Sequence, residues 1–227
     1  GMFQNATSFD QDLTTWNTES VTDMSFMFQN ATAFNSDLSG WITGAVTNMR
    51  GMFDGATAFN GNISTWNTEL VTNMSYMFYG ATAFNGDLTS WDTGAVTNMS
   101  YMFRGATAFL GNGLDSWNTG SVTNMSHMFE NATTVGNVSD TWNVSNVTDM
   151  SYMFKGSGVG SSCPSWDVSK VLDMSHMFEG TFIDLEAAPW KPKRCANFSY
   201  MFAGVNVDNV LAENSLAPWA SYIGISA

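Results

Sequence analysis

The sequence predicts a right-handed α/β solenoid of about nine coils, each with a short parallel strand and a two-turn helix. Three observations predict it. Met-Phe pairs begin at Met2, Met27, Met52, Met77, Met102, Met128, Met153, Met177 and Met201, in steps of 24 to 26 residues. Tryptophan keeps the same beat from Trp16 to Trp190, and Trp219 follows after a step of 29. Between these markers, apolar residues fall at the 0, 3, 4, 7 spacing of one helix face, as at Met74, Met77, Phe78 and Ala81. A fixed period in this range marks stacked repeats that share one core. The regular array fills residues 1–204, and 205–227 reads as a divergent coil or cap.

The helix is justified by its ends. Asn73 and its equivalents Asp23, Asn48, Asn98, Asn124, Asp149, Asp173 and Asn197 stand just before the apolar stripe, where Asn and Asp accept from free N–H groups. Gly80 and its equivalents (Asn5, Asn30, Gly55, Gly105, Asn131, Gly156, Gly180 and Gly204) stand just after it. These residue types tolerate the left-handed conformation that ends a helix. A helix so short is marginal alone and must be held by packing.

The turn and strand come next. Asn85-Gly86 is a turn signal, and Leu88-Thr89-Ser90 reads as a strand ending at Trp91. The slots of Asn85 (Asp10, Asn35, Asn60) and Asp87 (Asp12, Asp37, Asn62) become polar ladders that bond the backbone of the next coil. Strands of successive coils pair in parallel and are covered by the helices.

Composition narrows the function. Net charge is −13 with only seven Lys plus Arg, which argues against a nucleic-acid partner. No apolar run approaches a membrane span. Exposed positions are dominated by Asn, Thr, Ser and Gly, which suits an extracellular surface. All sixteen Met residues occupy the slots of Met74 and Met77, so they read as core packing. No nucleophile–His–acid set, phosphate loop, cofactor site or metal site is legible. His127 and His176 lie two coils apart, and the Asp and Asn residues near Asp87 form no acidic cluster for calcium.

Cys163 stands three residues before a Trp and Cys195 five after one, both in core slots of neighbouring coils. They read either as a disulfide in an oxidising compartment or as two buried thiols. Sequons place candidate N-glycosylation at Asn5, Asn30, Asn62, Asn131, Asn137, Asn143 and Asn146. Those at Asn73, Asn98, Asn124 and Asn197 coincide with the helix-start slot and should be poor acceptors. One exposed slot, two residues past Met74, holds Phe26, Gly51, Tyr76, Tyr101, His127, Tyr152, His176 and Tyr200. Its rings read as a contact stripe for protein, glycan or lateral subunit, or else as rings lying flat over their helix neighbours.

The stretch from Trp66 to Trp91, "WNTELVTNMSYMFYGATAFNGDLTSW", resembles the BspA-type leucine-rich repeat of bacterial surface proteins. That repeat, of roughly 25 residues, is also found in mycoplasma lipoproteins and some protists. The resemblance covers about residues 1–202 and implies a leucine-rich-repeat-like stack. It also implies a cell-surface or secreted protein for adhesion, with other proteins or glycans as partners and no catalytic residues. A second reading is a surface filament built head to tail from copies of the chain. Gly1 stands ten residues after the Trp phase and Ala227 eight after Trp219, so either one copy would continue the next, or the sequence is a piece of a longer array, or the stack is a capped monomer.

Overall fold

The computed structural model describes residues 1–136, 138–159, 166–181 and 197–205. It overturns the α/β solenoid. Among the described residues the only helical element is a three-residue 3-10 turn, Leu114–Ser116. No extended strand forms among them either. The expected strand at Leu88-Thr89-Ser90 is a turn, closed by Trp91 N–H donating to the Leu88 carbonyl at 3.1 Å. Pairing is confined to single-residue parallel bridges, Asp23 to Asn48 to Asn73 and onward to Asn197, at the slot expected to start each helix.

The backbone is instead a chain of tight turns laid over the next repeat. Met77, Tyr79, Ala81 and Phe84 donate their N–H groups three residues back, to Met74, Tyr76, Phe78 and Ala81. Met74, Tyr76, Phe78 and Gly80 donate forward, to the carbonyls of Asn98, Ser100, Met102 and Arg104 in the following repeat, at 2.7–3.1 Å. Alternate amides therefore close turns and join layers. A helix would send nearly all of its amides four residues back.

The reason lies in two left-handed residues per repeat. Tyr76 has φ 61° and Gly80 φ 63°, and the same pair of positive values recurs in the other repeats. Each sits third in a four-residue turn, where a type II turn requires φ above zero. The Asn or Gly at the Gly80 slot is thus left-handed as expected, but within a turn rather than at a helix end. Asn73 does not cap a helix: its Oδ1 accepts from the Ser75 N–H at 3.0 Å, two residues on, as an Asx turn does. Successive turns of three residues also bring i, i+3, i+4 and i+7 to one side, so the apolar stripe has helical spacing without a helix.

The stripe is nevertheless buried. Met74, Met77, Phe78 and Ala81 are fully buried, as are their equivalents in the middle repeats. Phe3, Phe28, Phe53, Phe78 and their successors stack at 5.4–5.8 Å between centroids. A second Phe file, from Phe9 to Phe109, packs against the first. Trp16, Trp41, Trp66 and Trp91 stack one on the next, and the indole N–H groups of Trp41, Trp66, Trp91, Trp117 and Trp142 each answer a backbone carbonyl. Trp66 Nε1 donates to Leu38 O at 3.0 Å and Trp91 Nε1 to Ile63 O at 3.2 Å. A buried carbonyl left unpaired would cost about 1–3 kcal/mol.

The polar ladder of the Asn85 slot joins repeats as expected. Asn35, Asn60, Asn85 and Leu110 each donate a backbone N–H to the Oδ1 one repeat earlier, at 2.7–3.0 Å. The Asp87 slot does not. Its Oδ1 accepts from Thr89 N–H at 2.9 Å, inside its own repeat.

Candidate functional site

The slot of Tyr76 forms a file of rings along one face. Tyr76, Tyr101, His127, Tyr152, His176 and Tyr200 stack with centroids 4.2–4.9 Å apart. The rings cover one another across repeats, so their faces are hidden and their edges reach solvent. Their shared left-handed backbone aims them identically. An aromatic residue there costs about 1–2 kcal/mol, which two ring contacts per residue offset. Phe26 stands beyond Gly51, which, like Gly1, brings no ring to the slot. The Arg50 guanidinium fills that break, 5.4 Å from the Phe26 ring and 5.5 Å from the Tyr76 ring.

A second file runs beside the rings, in the slot after the buried Phe. Gln4 donates to Gln29 and Gln29 to Asp54 Oδ2 at 2.6 Å. Farther along, Arg104 donates to the Tyr79 hydroxyl and to both oxygens of Glu130, at 2.6 and 3.2 Å. His127 Nδ1 lies 2.6 Å from Glu130 Oε2. The set recurs two repeats later, where Lys155 Nζ is 2.9 Å from Glu179 Oε2 and His176 Nδ1 contacts the same oxygen. Lys155 also lies over the Tyr152 ring at 5.3 Å.

Electrostatics differ along this file. Burial pushes the Glu130 carboxyl up, but hydrogen bonds from His127 and Arg104, with their charges, outweigh it and hold the group at about 2. Glu179 is likewise lowered: burial opposes, while His176 and Lys155 prevail. Asp54 is raised, because burial dominates and Gln29 supplies a hydrogen bond without charge.

Of the sequence-derived site residues, the structure brings the ring stripe together and separates the rest. Asn5, Asn62, Asn131 and Asn143 are exposed. Asn30 is exposed too, but its amide donates to Asn5 Oδ1 at 2.9 Å. Asn146 donates to Gly120 O and accepts from Lys170. Asn137, Cys163 and Cys195 lie outside the described residues. Among the described residues no three His, Cys, Asp or Glu gather as metal ligands, and no helix is long and apolar enough to cross a membrane. The charged file was missed in the sequence. Its signal was the alternation Arg104, Glu130, Lys155, Glu179 after the Phe of successive repeats.

A family model described as "Mycoplasma protein of unknown function, DUF285" matches residues 36–135 and again 109–214. The chain belongs to that family. No curated protein and no solved structure matches it.

Proposed function

We propose that this member of the DUF285 family is a non-enzymatic interaction scaffold of a cell surface or extracellular space. One observation carries the reading. The interior slots repeat almost without change, whereas the file beside the rings changes from Gln4 to Asp54, Tyr79, Arg104, Glu130 and Lys155. A uniform interior with a varied, rigidly spaced outer file suits recognition of a partner surface, by protein or glycan. The half-exposed ring edges add aromatic contact area at little conformational cost, as interaction surfaces commonly do. The likeness of the repeat to the BspA-type leucine-rich repeat of bacterial surface proteins supports the same location and role, and the sequons suit an exposed surface.

The test is binding of the fluorescently labelled chain to intact cells and to an immobilised glycan panel. A triple variant, Tyr101→Ala, His127→Ala and Tyr152→Ala, is measured beside it. Saturable binding that the variant loses by about tenfold or more supports the reading. Binding unchanged in the variant, or none to either target, contradicts it.

A further inference from the structure

We propose that, when no outside partner holds it, the ring face pairs with the same face of a second copy of this chain, antiparallel, about a two-fold axis between the repeats carrying His127 and Tyr152, so that copy and partner compete for one surface. The first support is charge. Arg50, Arg104 and Lys155, the only Lys or Arg among the first 169 residues, all stand on this face. They are matched there by Asp54, Glu130 and Glu179. Among the described residues the ring file and the file beside it therefore balance, three cations against three anions, while the chain as a whole carries a net charge of −13. Two such acidic molecules repel one another overall, and a balanced file lowers the cost of meeting here.

The second support is order. Along the stack the charged file reads Arg104, Glu130, Lys155, Glu179, which is plus, minus, plus, minus. Reversed on itself about the proposed axis, it sets Arg104 opposite Glu179, both part-exposed, and Lys155 opposite Glu130, whose side chain is 8% exposed and already held by Arg104 and His127, so the Arg104–Glu179 pair carries the contact. Arg104, Lys155 and Glu179 each keep about a third of their side chain exposed (31%, 31% and 29%), so they retain capacity beyond their partners within the chain. The same reversal sets Tyr101 opposite His176, His127 opposite Tyr152, and Tyr76 opposite Tyr200. Both histidines then face a phenol, a donor–acceptor match that direct superposition in parallel does not supply. Such an isologous contact closes after two copies.

The experiment is sedimentation velocity across a concentration series, with the single variants R104E and E179R and the double variant R104E/E179R. Wild type is expected to form a dimer that weakens with added salt. Each single variant loses about tenfold or more in dimer affinity, and the double variant recovers it. Recovery is diagnostic because Arg104 and Glu179 are three repeats apart within one chain, and Arg104→Glu loses its own Glu130 contact in both variants. Tyr76→Cys with Tyr200→Cys, oxidised in the dimer, is expected to link residue 76 of one copy to residue 200 of the other. A wild type that stays monomeric, a double variant no tighter than the singles, or links joining 76 to 76 would overturn the proposal.

Discussion

An inner and an outer ring file run along the stack, and they do different work. The inner file of Phe28, Phe53, Phe78 and Phe103 is wholly buried and walled by Met and Trp. The outer file of Tyr76, Tyr101, His127 and Tyr152 stacks more closely, 4.2–4.5 Å against 5.5–5.7 Å for the corresponding inner pairs, yet leaves its edges in water. Close stacking is therefore not the measure of stabilisation here. Area removed from water is, at about 25 cal/mol per Å². The inner rings hold the layers together; the outer rings present a regular edge.

The largest expected effect breaks the inner file. Phe103→Ala should cost about 3–5 kcal/mol in chemical unfolding, since it opens a cavity between Phe78 and Phe129. A loss below about 1 kcal/mol would mean that the column is not continuous. Trp91→Phe keeps most of the ring but withdraws the donor from Ile63 O. It should cost about 1–3 kcal/mol, and a fall in melting temperature clearly smaller than that of Phe103→Ala would show it.

Outer-file changes should be smaller. Tyr101→Ala loses stacking on Tyr76 and His127, for about 1 kcal/mol. Tyr101→Gly loses the same stacking but also relieves the strain of φ 61°, so it should unfold no more easily than Tyr101→Ala. If glycine is the worse of the two, the left-handed assignment is wrong.

The charged file makes a comparison of its own. Glu130 is held at about 2, below its ordinary 4.5, so the stability it contributes is present above 4.5 and is lost as pH falls toward 2. Glu130→Gln should flatten the stability profile across that window. Asp54 is shifted the other way by burial, so its ionised form is a cost near neutral pH. Asp54→Asn should give a small gain there, under about 1 kcal/mol, and none in acid. A gain that persists in acid would put the burial argument in doubt.

Period, core membership and the inter-repeat bonds of the Asn85 ladder were legible in the sequence, because each depends on side-chain type at a fixed interval. The backbone was not. Met74, Met77, Phe78 and Ala81 share one side in a helix and in a run of three-residue turns alike, so hydrophobic spacing cannot separate the two. The deciding fact is a left-handed residue inside the stripe at the Tyr76 slot. Tyr, Phe and His conceal it, and Gly51 in the same slot hints at it. Burial of the stripe was therefore legible while its conformation was not. The same holds at Asn73, whose residue type fits a helix cap and an Asx turn equally well.

The central claim is that alternate amides of each repeat bond the following repeat instead of winding into a helix. The most direct measurement is the scalar coupling across the hydrogen bond of the Phe78 amide in an isotope-labelled sample. The turn-built stack predicts coupling from the Phe78 nitrogen to the Met102 carbonyl carbon, the 2.8 Å bond of the structure. Coupling to the Met74 carbonyl carbon, four residues back, would contradict it and restore the helix.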